Sequence, residues 1–300
     1  MKVTILGNNS ALPTYERHPT SQIVYVHDEP IMLDCGEATQ IQMQRYGIRW
    51  RNLNHIFISH MHGDHYFGLP GFINSMSLLG RTTPLHLYAP APLEALIQHI
   101  MDVASSVLSY PFHFHALPDG AGTLVDNEQF RVSCFPVEHR ITCHGFVITR
   151  KTKGRKLLLE KCREYEIPAY YYDKLKKGED YERKDGFLVK NEWVTELGPK
   201  PKRYAYCADT LYTESILPYI TGVDTMYHES TYLENDIEKA IARFHSTAKQ
   251  AALLAVKAQV QQLLLGHFSS KYRELEAFKE EAGSIFRNAI ITEEGQTYEI

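Results

Sequence analysis

A layered α/β (α+β) protein, its sheets covered by helices, is what this sequence predicts, and three observations carry that expectation. Short runs rich in Val, Ile, Leu and Tyr alternate with longer segments of helix formers. The runs Ile56-Phe57-Ile58 and Leu263-Leu264-Leu265 are apolar throughout, as strands buried on both faces are. The later runs stop beside a His or an Asp, which puts chemistry-bearing side chains just past strand ends, where loops can gather them into one site.

In chain order, VTILG followed by Asn8-Asn9-Ser10 reads as a strand and turn, and the alternating Ile23 and Tyr25 and the run Ile31-Met32-Leu33 suggest further strands of an antiparallel start. ATQIQMQRYG has helical composition and ends at Gly47. Ile56–Ile58 fits a buried strand that stops at Ser59-His60, and Leu85-His86-Leu87-Tyr88 reads likewise. Phe130 to Phe135 alternates with period two and leads toward His139, while Arg203 to Ala208 ends at Asp209. Ser246-Thr247 is placed to cap the helix AKQAALLAVKAQ, and Leu263–Leu265 closes at Gly266-His267. The sequence contains no internal repeat and no low-complexity tract.

The 300 residues are 44% hydrophobic and 23% charged, which excludes a disordered or fibrous chain. One large domain spanning 1–300, with an insertion at 150–190, is expected. No stretch reaches the roughly 18 apolar residues of a membrane span, and Met1–Leu6 is too short for a signal-peptide core, so the expected address is the cytoplasm, with no membrane partner. The five cysteines are widely spaced and never form C-x-x-C, which points to buried or free thiols rather than disulfides or thiolate zinc.

The net charge of −4 argues against coating nucleic acid by bulk electrostatics, but it conceals an asymmetry. Residues 150–190 hold 13 Lys and Arg against 8 Asp and Glu, a local +5, and the rest of the chain carries −9. Within that insertion Tyr170, Tyr171 and Tyr172 sit among lysines and arginines. Cations can meet phosphates and aromatic rings can stack on unpaired bases, although a solvated charged helix and hairpin has the same composition.

Histidine is unusually frequent, 15 residues in 300, and it is the commonest metal ligand. Four candidate ligands crowd into SHMHGDH: His60, His62, Asp64 and His65. Zinc takes imidazole nitrogen and carboxylate oxygen at about 2.0–2.2 Å, so ligands this close need a tight turn, which Gly63 is expected to permit. His60 and His62 can face one ion and the Asp64-His65 pair another. The strand-end residues His139, Asp209 and His267 complete two sets: His60, His62 and His139 for one metal, Asp64, His65 and His267 for the other, with Asp209 bridging because a carboxylate offers two oxygens. Two ions about 3.5–4 Å apart can activate water and stabilise both the attacking and the leaving oxygen of an in-line phosphoryl displacement. Asp64 is the candidate general base. His245 lies outside the ligand set, just before a helix, either as a surface histidine or as the acid that protonates the leaving oxygen.

These residues resemble a known family. HxHxDH is similar to the metal loop of metallo-β-lactamase-fold hydrolases, and ALPT, DCGEATQIQ, HMHGDHYFGLPG, VEH, ADT, HEST, HST and GHFSSKY follow one another as in ribonuclease Z, the tRNA 3′ processing endonuclease family. The resemblance spans nearly the whole chain. It implies a four-layer αβ/βα sandwich with a protruding exosite arm, metal ligands at His60, His62, Asp64, His65, His139, Asp209 and His267, a catalytic base at Asp64 and a cleavage role for His245. It further implies two Zn2+ per subunit, with Mn2+ or another divalent ion as a substitute, a tRNA precursor as substrate, and a homodimer in which the basic insertion of one subunit grips tRNA for the other. The departures are the opening turn Gly7-Asn8-Asn9-Ser10 and the arm sequence Ile167-Pro168-Ala169, where the family carries glycine-rich and Gly-Pro segments. Asn9, Arg17 and Glu37 fall in matching segments without an assigned chemistry, and His228 and Glu229 are expected to orient a ligand or His245. The alternatives are a small-molecule phosphodiesterase or other hydrolase of the same fold, and a metal-bound RNA-binding protein without catalysis.

Overall fold

The computed structural model describes residues 1–152, 154–198 and 200–300; Lys153, part of the basic insertion, lies outside the described residues. The chain divides into two compact units, one of residues 1–149 with 202–300 and one of residues 150–201.

The larger unit holds two sheets, each of seven strands among the described residues. The first contains β1 (Lys2–Gly7), β2 (Ser21–Val26), β3 (Glu29–Cys35), β4 (His55–Phe57), β5 (Leu85–Ala89), β6 (Phe112–Ala116) and β18 (Thr297–Glu299), in the order β18-β1-β2-β3-β4-β5-β6. The second contains β7 (Gly122–Asp126), β8 (Phe130–Val137), β9 (Cys143–Arg150), β14 (Lys202–Cys207), β15 (Thr225–Glu229), β16 (Gln262–Gly266) and β17 (Ala289–Ile291), in the order β17-β16-β15-β14-β9-β8-β7.

Side-chain alternation divides each strand between two cores. Val3, Ile5, Val24, Leu33 and Phe57 from the first sheet meet Phe130, Phe146, Tyr204, Tyr206 and Leu264 from the second in one buried cluster. Their neighbours Leu6, Ile23, Met32 and Ile56 face the opposite way, onto α1 (Thr39–Arg45), α3 (Leu69–Leu78) and α4 (Pro92–Val103), which follow β3, the short α2 (Gly63–Tyr66) and β5. On the second sheet Ala205, Cys207, Leu263 and Leu265 pack against α8 (Leu217–Ile220), α10 (Ala248–Lys257) and α11 (Glu276–Gly283). The result is a helix-sheet-sheet-helix sandwich. Burial on both faces is why these strands read as continuous apolar runs.

Parallel pairing sets the site. β3, β4, β5 and β6 run parallel, as do β14, β15, β16 and β17, so within each sheet the carboxyl ends of these strands share an edge. The register places Cys207 beside His228, and Glu229 beside Gly266, so Asp209, Glu229 and His267 emerge together. Thr247 caps α10 with a capping box closed by Gln250, as the sequence suggests. All five cysteines are buried and unpaired. No described helix is long and apolar enough to cross a membrane.

The smaller unit contains β10 (Lys156–Leu157), β11 (Tyr181–Glu182), β12 (Leu188–Val189) and β13 (Thr195–Glu196) with α5 (Leu159–Glu164), α6 (Tyr172–Lys176) and α7 (Asn191–Val194). It extends past Lys190 because Thr195–Glu196 pairs back on Lys156–Leu157. Cys162, Ile167, Leu175, Val189 and Val194 make its own small core, with Tyr171 and Tyr172 packed on the margin. Of the three consecutive tyrosines only Tyr170 is largely exposed, at 81%.

Phe146 is completely buried where the two sheets of the larger unit meet. Phe146→Ala is expected to lower the unfolding free energy by about 3–5 kcal/mol, read from urea denaturation followed by circular dichroism; a loss below about 1 kcal/mol would mean that this core closes without it.

Candidate metal centre

The loop Ser59–His65 continues from β4 and turns into α2. Its backbone packs against the loop that follows β3: Gly68 N–H donates to the Cys35 carbonyl (3.0 Å). A Cβ on Gly68 would lie 2.1 Å from the Gly36 carbonyl oxygen, and one on Gly36 2.5 Å from that of Asp64. These two glycines permit the close approach. Gly63 does not act as the sequence suggested: its φ is not positive and it begins α2, where the lack of a side chain leaves room for the Phe67 ring.

The loop and the strand ends bring all seven ligand candidates together. His60 Nε2 and His139 Nε2 lie 3.0 and 3.1 Å from His62 Nδ1, and Asp209 Oδ2 lies 3.7 and 4.0 Å from the same two Nε2 atoms. The other Asp209 oxygen, Oδ1, is 3.4 Å from His65 Nε2 and 3.1 Å from His267 Nε2. Asp64 Oδ2 closes this second group at 3.6 and 3.4 Å from the same nitrogens. Four donors at 2.0–2.1 Å around a tetrahedral ion are about 3.3 Å apart, so both groups have the spacing of a metal cage.

A second observation tests the fit. His65 Nε2, His267 Nε2 and Asp209 Oδ1 are buried with no hydrogen-bond partner, an arrangement that costs about 1–3 kcal/mol for each orphaned group. Aimed at one another across 3.1–3.4 Å, they suit a divalent cation between them.

The remaining ring nitrogens are tied down, which fixes which nitrogen faces the centre. His60 Nδ1 donates to Ser59 Oγ (2.9 Å), His139 Nδ1 to the Phe244 carbonyl (2.9 Å) and His267 Nδ1 to Thr231 Oγ1 (2.9 Å). His65 Nδ1 donates to Asp34 Oδ2 at 2.7 Å. Asp34 is fully buried and also accepts from Ser59 N–H (2.7 Å), Ser59 Oγ (2.8 Å) and Tyr206 Oη (2.6 Å). Tyr206 belongs to the second sheet, so Asp34 ties both sheets to the ligand loop. Sequence reading missed this role, although an Asp closing a buried strand is a signal in itself. Asp34 and His267 have φ of 54° and 59°, as do their neighbours in function Ala11 (66°) and Phe244 (58°). Such left-handed non-glycine backbone concentrates at functional sites. Ala11 N–H donates to Asp64 Oδ2 at 2.7 Å.

His245 stands beside the ligands, its ring 5.3 and 5.5 Å from those of His139 and His267. Its Nδ1 is held by Glu229 Oε1 at 2.9 Å. The same carboxylate accepts from Thr210 N–H, Ser246 N–H, Thr231 N–H and Thr231 Oγ1, and through Thr231 it also supports His267. His228, by contrast, donates its Nδ1 to the Glu229 carbonyl and does not reach the ligands.

Electrostatics follow burial. Burial, followed by the neighbouring imidazole of His65, holds His60 well below the usual histidine range, and burial likewise lowers His62 and His139, so all three offer lone pairs at neutral pH. Burial works against the charges of Asp64 and Asp209, but His65 for the first, and His267 followed by His65 for the second, keep both carboxylates ionised. Burial also opposes a charge on His245, yet Glu229 outweighs it and pushes the imidazole up to about 9.

Ribonuclease Z of Parabacteroides distasonis is 42% identical over 294 residues, which cover 98% of this chain and 97% of that protein. The chain belongs to the ribonuclease Z family. Ribonuclease Z of Porphyromonas gingivalis is 41% identical, across 97% of this chain and 96% of its own. Residues 1–156 also fall within the family whose model is described as Anti-Pycsar protein Apyc1, a stretch that includes the His60–His65 loop and His139 but not Asp209, His245 or His267. Among solved structures, human tRNase Z, short form, superposes with a TM-score of 0.73 at 23% identity, covering 100% of this chain and 99% of its own. A metallo-β-lactamase-fold protein from Bacillus subtilis gives 0.69 at 18% identity, covering 99% and 98%. The fold is therefore the metallo-β-lactamase sandwich, and the residues at its ligand loop suit divalent metal.

Asp34→Asn keeps the shape but changes what His65, Ser59 and Tyr206 can donate to. It is expected to weaken divalent-metal binding about 10- to 100-fold, measured by competition with a chromogenic chelator; unchanged affinity would show that the imidazole of His65 needs no such support.

Proposed function

We propose that this ribonuclease Z family member is a metal-dependent endoribonuclease that removes the 3′ trailer from tRNA precursors, leaving a 3′-hydroxyl on the tRNA and a 5′-phosphate on the trailer. The observation that carries this reading is the pair of donor groups joined through the two oxygens of Asp209, beside a histidine that belongs to neither group. His60, His62, His139 and Asp209 Oδ2 would hold one Zn2+, and Asp64, His65, His267 and Asp209 Oδ1 the other, with Mn2+ able to replace zinc. When bound, the ions would supply Lewis-acid charge at the scissile phosphate and make water more acidic.

The chain's own groups do the rest. Asp64 takes a proton from the attacking water, its carboxylate positioned by Ala11 N–H. His245, with Nδ1 fixed by Glu229, gives a proton from Nε2 to the departing 3′ oxygen of the tRNA. Asp64, itself one of the donors, and His245, which is not, are the acid-base pair in this reading, and water attacks phosphorus opposite the bond that breaks.

The basic unit of residues 150–201 is the tRNA exosite in this reading. Lys161, Lys176, Lys190 and Arg183 are paired with acidic neighbours in the same unit, whereas Arg163, Lys177 and Lys184 form no ion pair among the described residues. Those three cations and the exposed Tyr170 ring are the groups placed to meet phosphates and bases. The working form in this proposal is a cytoplasmic homodimer. The small-molecule hydrolase alternative is not favoured, since relatives named Ribonuclease Z match along 97–98% of both chains.

End-mapping of a tRNA precursor with a 3′ trailer tests the proposal. The metal-loaded protein is expected to make one cut at the trailer junction, Asp64→Ala to make none, and His245→Ala to cut about 10²- to 10⁴-fold more slowly; a precursor left intact while a small phosphodiester is hydrolysed would return the assignment to the alternative. Charge reversal in the arm, Lys177→Glu with Lys184→Glu, is expected to raise KM for the precursor and flatten its salt dependence, as followed by initial rates at two ionic strengths; an unchanged KM and salt slope would remove the arm from substrate binding.

A further inference from the structure

β6 is the edge strand of the first sheet and reads Phe112-His113-Phe114-His115-Ala116. Alternation sends Phe112 and Phe114 to the helix-covered face, where they pack on the outer core, and turns His113 and His115 to the opposite face. The register puts His86 of β5 beside His113, and His55 of β4 beside His86. Four imidazoles thus form one stack at the edge of the sheet. The ring of His86 lies 5.4 Å from that of His55, 4.9 Å from His113 and 5.3 Å from His115, with interplanar angles of 18–24°, and Tyr88 extends the stack 4.5 Å from His115.

The stack depends on neutral rings. His86 Nδ1 and His115 Nε2 are joined by a hydrogen bond of 3.0 Å, in which one nitrogen must offer a lone pair, so the bond survives one added proton on the pair but not two. His55 Nδ1 is buried without a hydrogen-bond partner, and a proton carried there is unmatched. Counter-charge comes from one side: Glu29 of β3 faces His55 Nε2 at 3.6 Å. β5 adds Tyr88, which burial keeps neutral, and from the second sheet Phe130 of β8 meets His55 edge-on at 5.8 Å. Burial, then the neighbouring imidazoles, pushes His55 down to about 4, and the same causes lower His86 and His115.

This edge also braces the metal-ligand loop. β4 continues through Ile58, whose N–H donates to the Tyr88 carbonyl (2.9 Å), into Ser59, whose carbonyl accepts from His144 N–H (3.1 Å). The His144 ring in turn donates from Nε2 to the carbonyl of Pro118 (3.0 Å), two residues past β6.

We propose that the imidazole stack is an acid-operated latch: a second proton on the His86–His115 pair breaks its hydrogen bond, β6 separates from β5, and the brace on the ligand loop is released with it. The sign follows from which state binds protons more readily. Imidazoles that the fold keeps neutral take up protons more easily once unfolded, so their stabilisation is present above about pH 6.5 and is lost as the pH falls from there towards about 4. Each such group raises the opening equilibrium by up to about tenfold per pH unit in that window. The latch does not depend on the nuclease assignment.

Amide hydrogen exchange followed by mass spectrometry, on zinc-loaded protein and corrected for the intrinsic pH dependence of exchange, tests it. Between about pH 6.5 and 5, protection of residues 112–116 in the wild type is expected to fall at least about tenfold more than that of β15, an interior strand of the second sheet. His86→Phe with His115→Phe keeps rings that can stack but cannot be charged, and its protection at 112–116 is expected to track β15. His115→Gln keeps an uncharged hydrogen-bonding group and is expected to reduce the acid loss in the same direction, which preserves the test if circular dichroism at neutral pH shows the double variant unfolded. Wild-type β6 that keeps pace with β15 through this range, or a folded variant whose β6 loosens as much as that of the wild type, overturns the proposal.

Discussion

A buried carboxylate with imidazoles on both sides is the constraint around which the larger unit is organised. Asp209 is almost wholly enclosed, and each of its oxygens lies 3.1–4.0 Å from a different pair of histidine nitrogens. An isolated charge buried in this way would be prohibitively unstable. Its position requires the loop after β4, the end of β8 and the ends of β14 and β16 to meet at one point. Parallel pairing aligns strand ends within each sheet, and the Tyr206–Asp34 hydrogen bond ties the second sheet to the end of β3 in the first.

Around that carboxylate, hydrogen bonds convert a flexible set of rings into a directed one. Asp34, Ser59, Thr231 and the Phe244 carbonyl take the outer ring nitrogens, and the inner ones converge. Glu229 gives the arrangement its asymmetry: one oxygen fixes His245, and the other, through Thr231, supports His267. A single buried side chain thus connects the ligand set to the residue assigned to proton delivery. The left-handed backbone at Asp34, Phe244 and His267 is the strain this geometry requires.

Much of this was legible in the sequence, for physical reasons that also mark the limits. Strands buried on both faces, such as β4 and β16, announce themselves as apolar runs. β6 does not, because its histidines alternate with phenylalanines and break the apolar run. β15, Thr-Met-Tyr-His-Glu, is fully buried yet mixed in composition, and the partners that let Thr225 and Glu229 be buried come from segments distant in sequence. The ligand loop was readable because its four candidates are contiguous, and His139, Asp209 and His267 because each follows a recognisable strand. Asp34 was not, since its four hydrogen bonds come from Ser59, His65 and Tyr206, which are distant in sequence. Gly63 was misread because crowded ligands suggest a sharp turn, whereas the backbone enters a helix there; the tight approach is made by Gly36 and Gly68. Ribonuclease Z relatives at about 40% identity along almost the full chain agree with the family that the ordered motifs indicated.

The central claim is that Asp209 joins two metal sites, and anomalous scattering from crystals of the zinc-loaded protein tests it most directly. Two peaks about 3.5–4 Å apart are expected, one enclosed by His60, His62 and His139, the other by Asp64, His65 and His267, with a different Asp209 oxygen on each. A single peak, or two peaks with Asp209 bound to only one of them, would contradict the account.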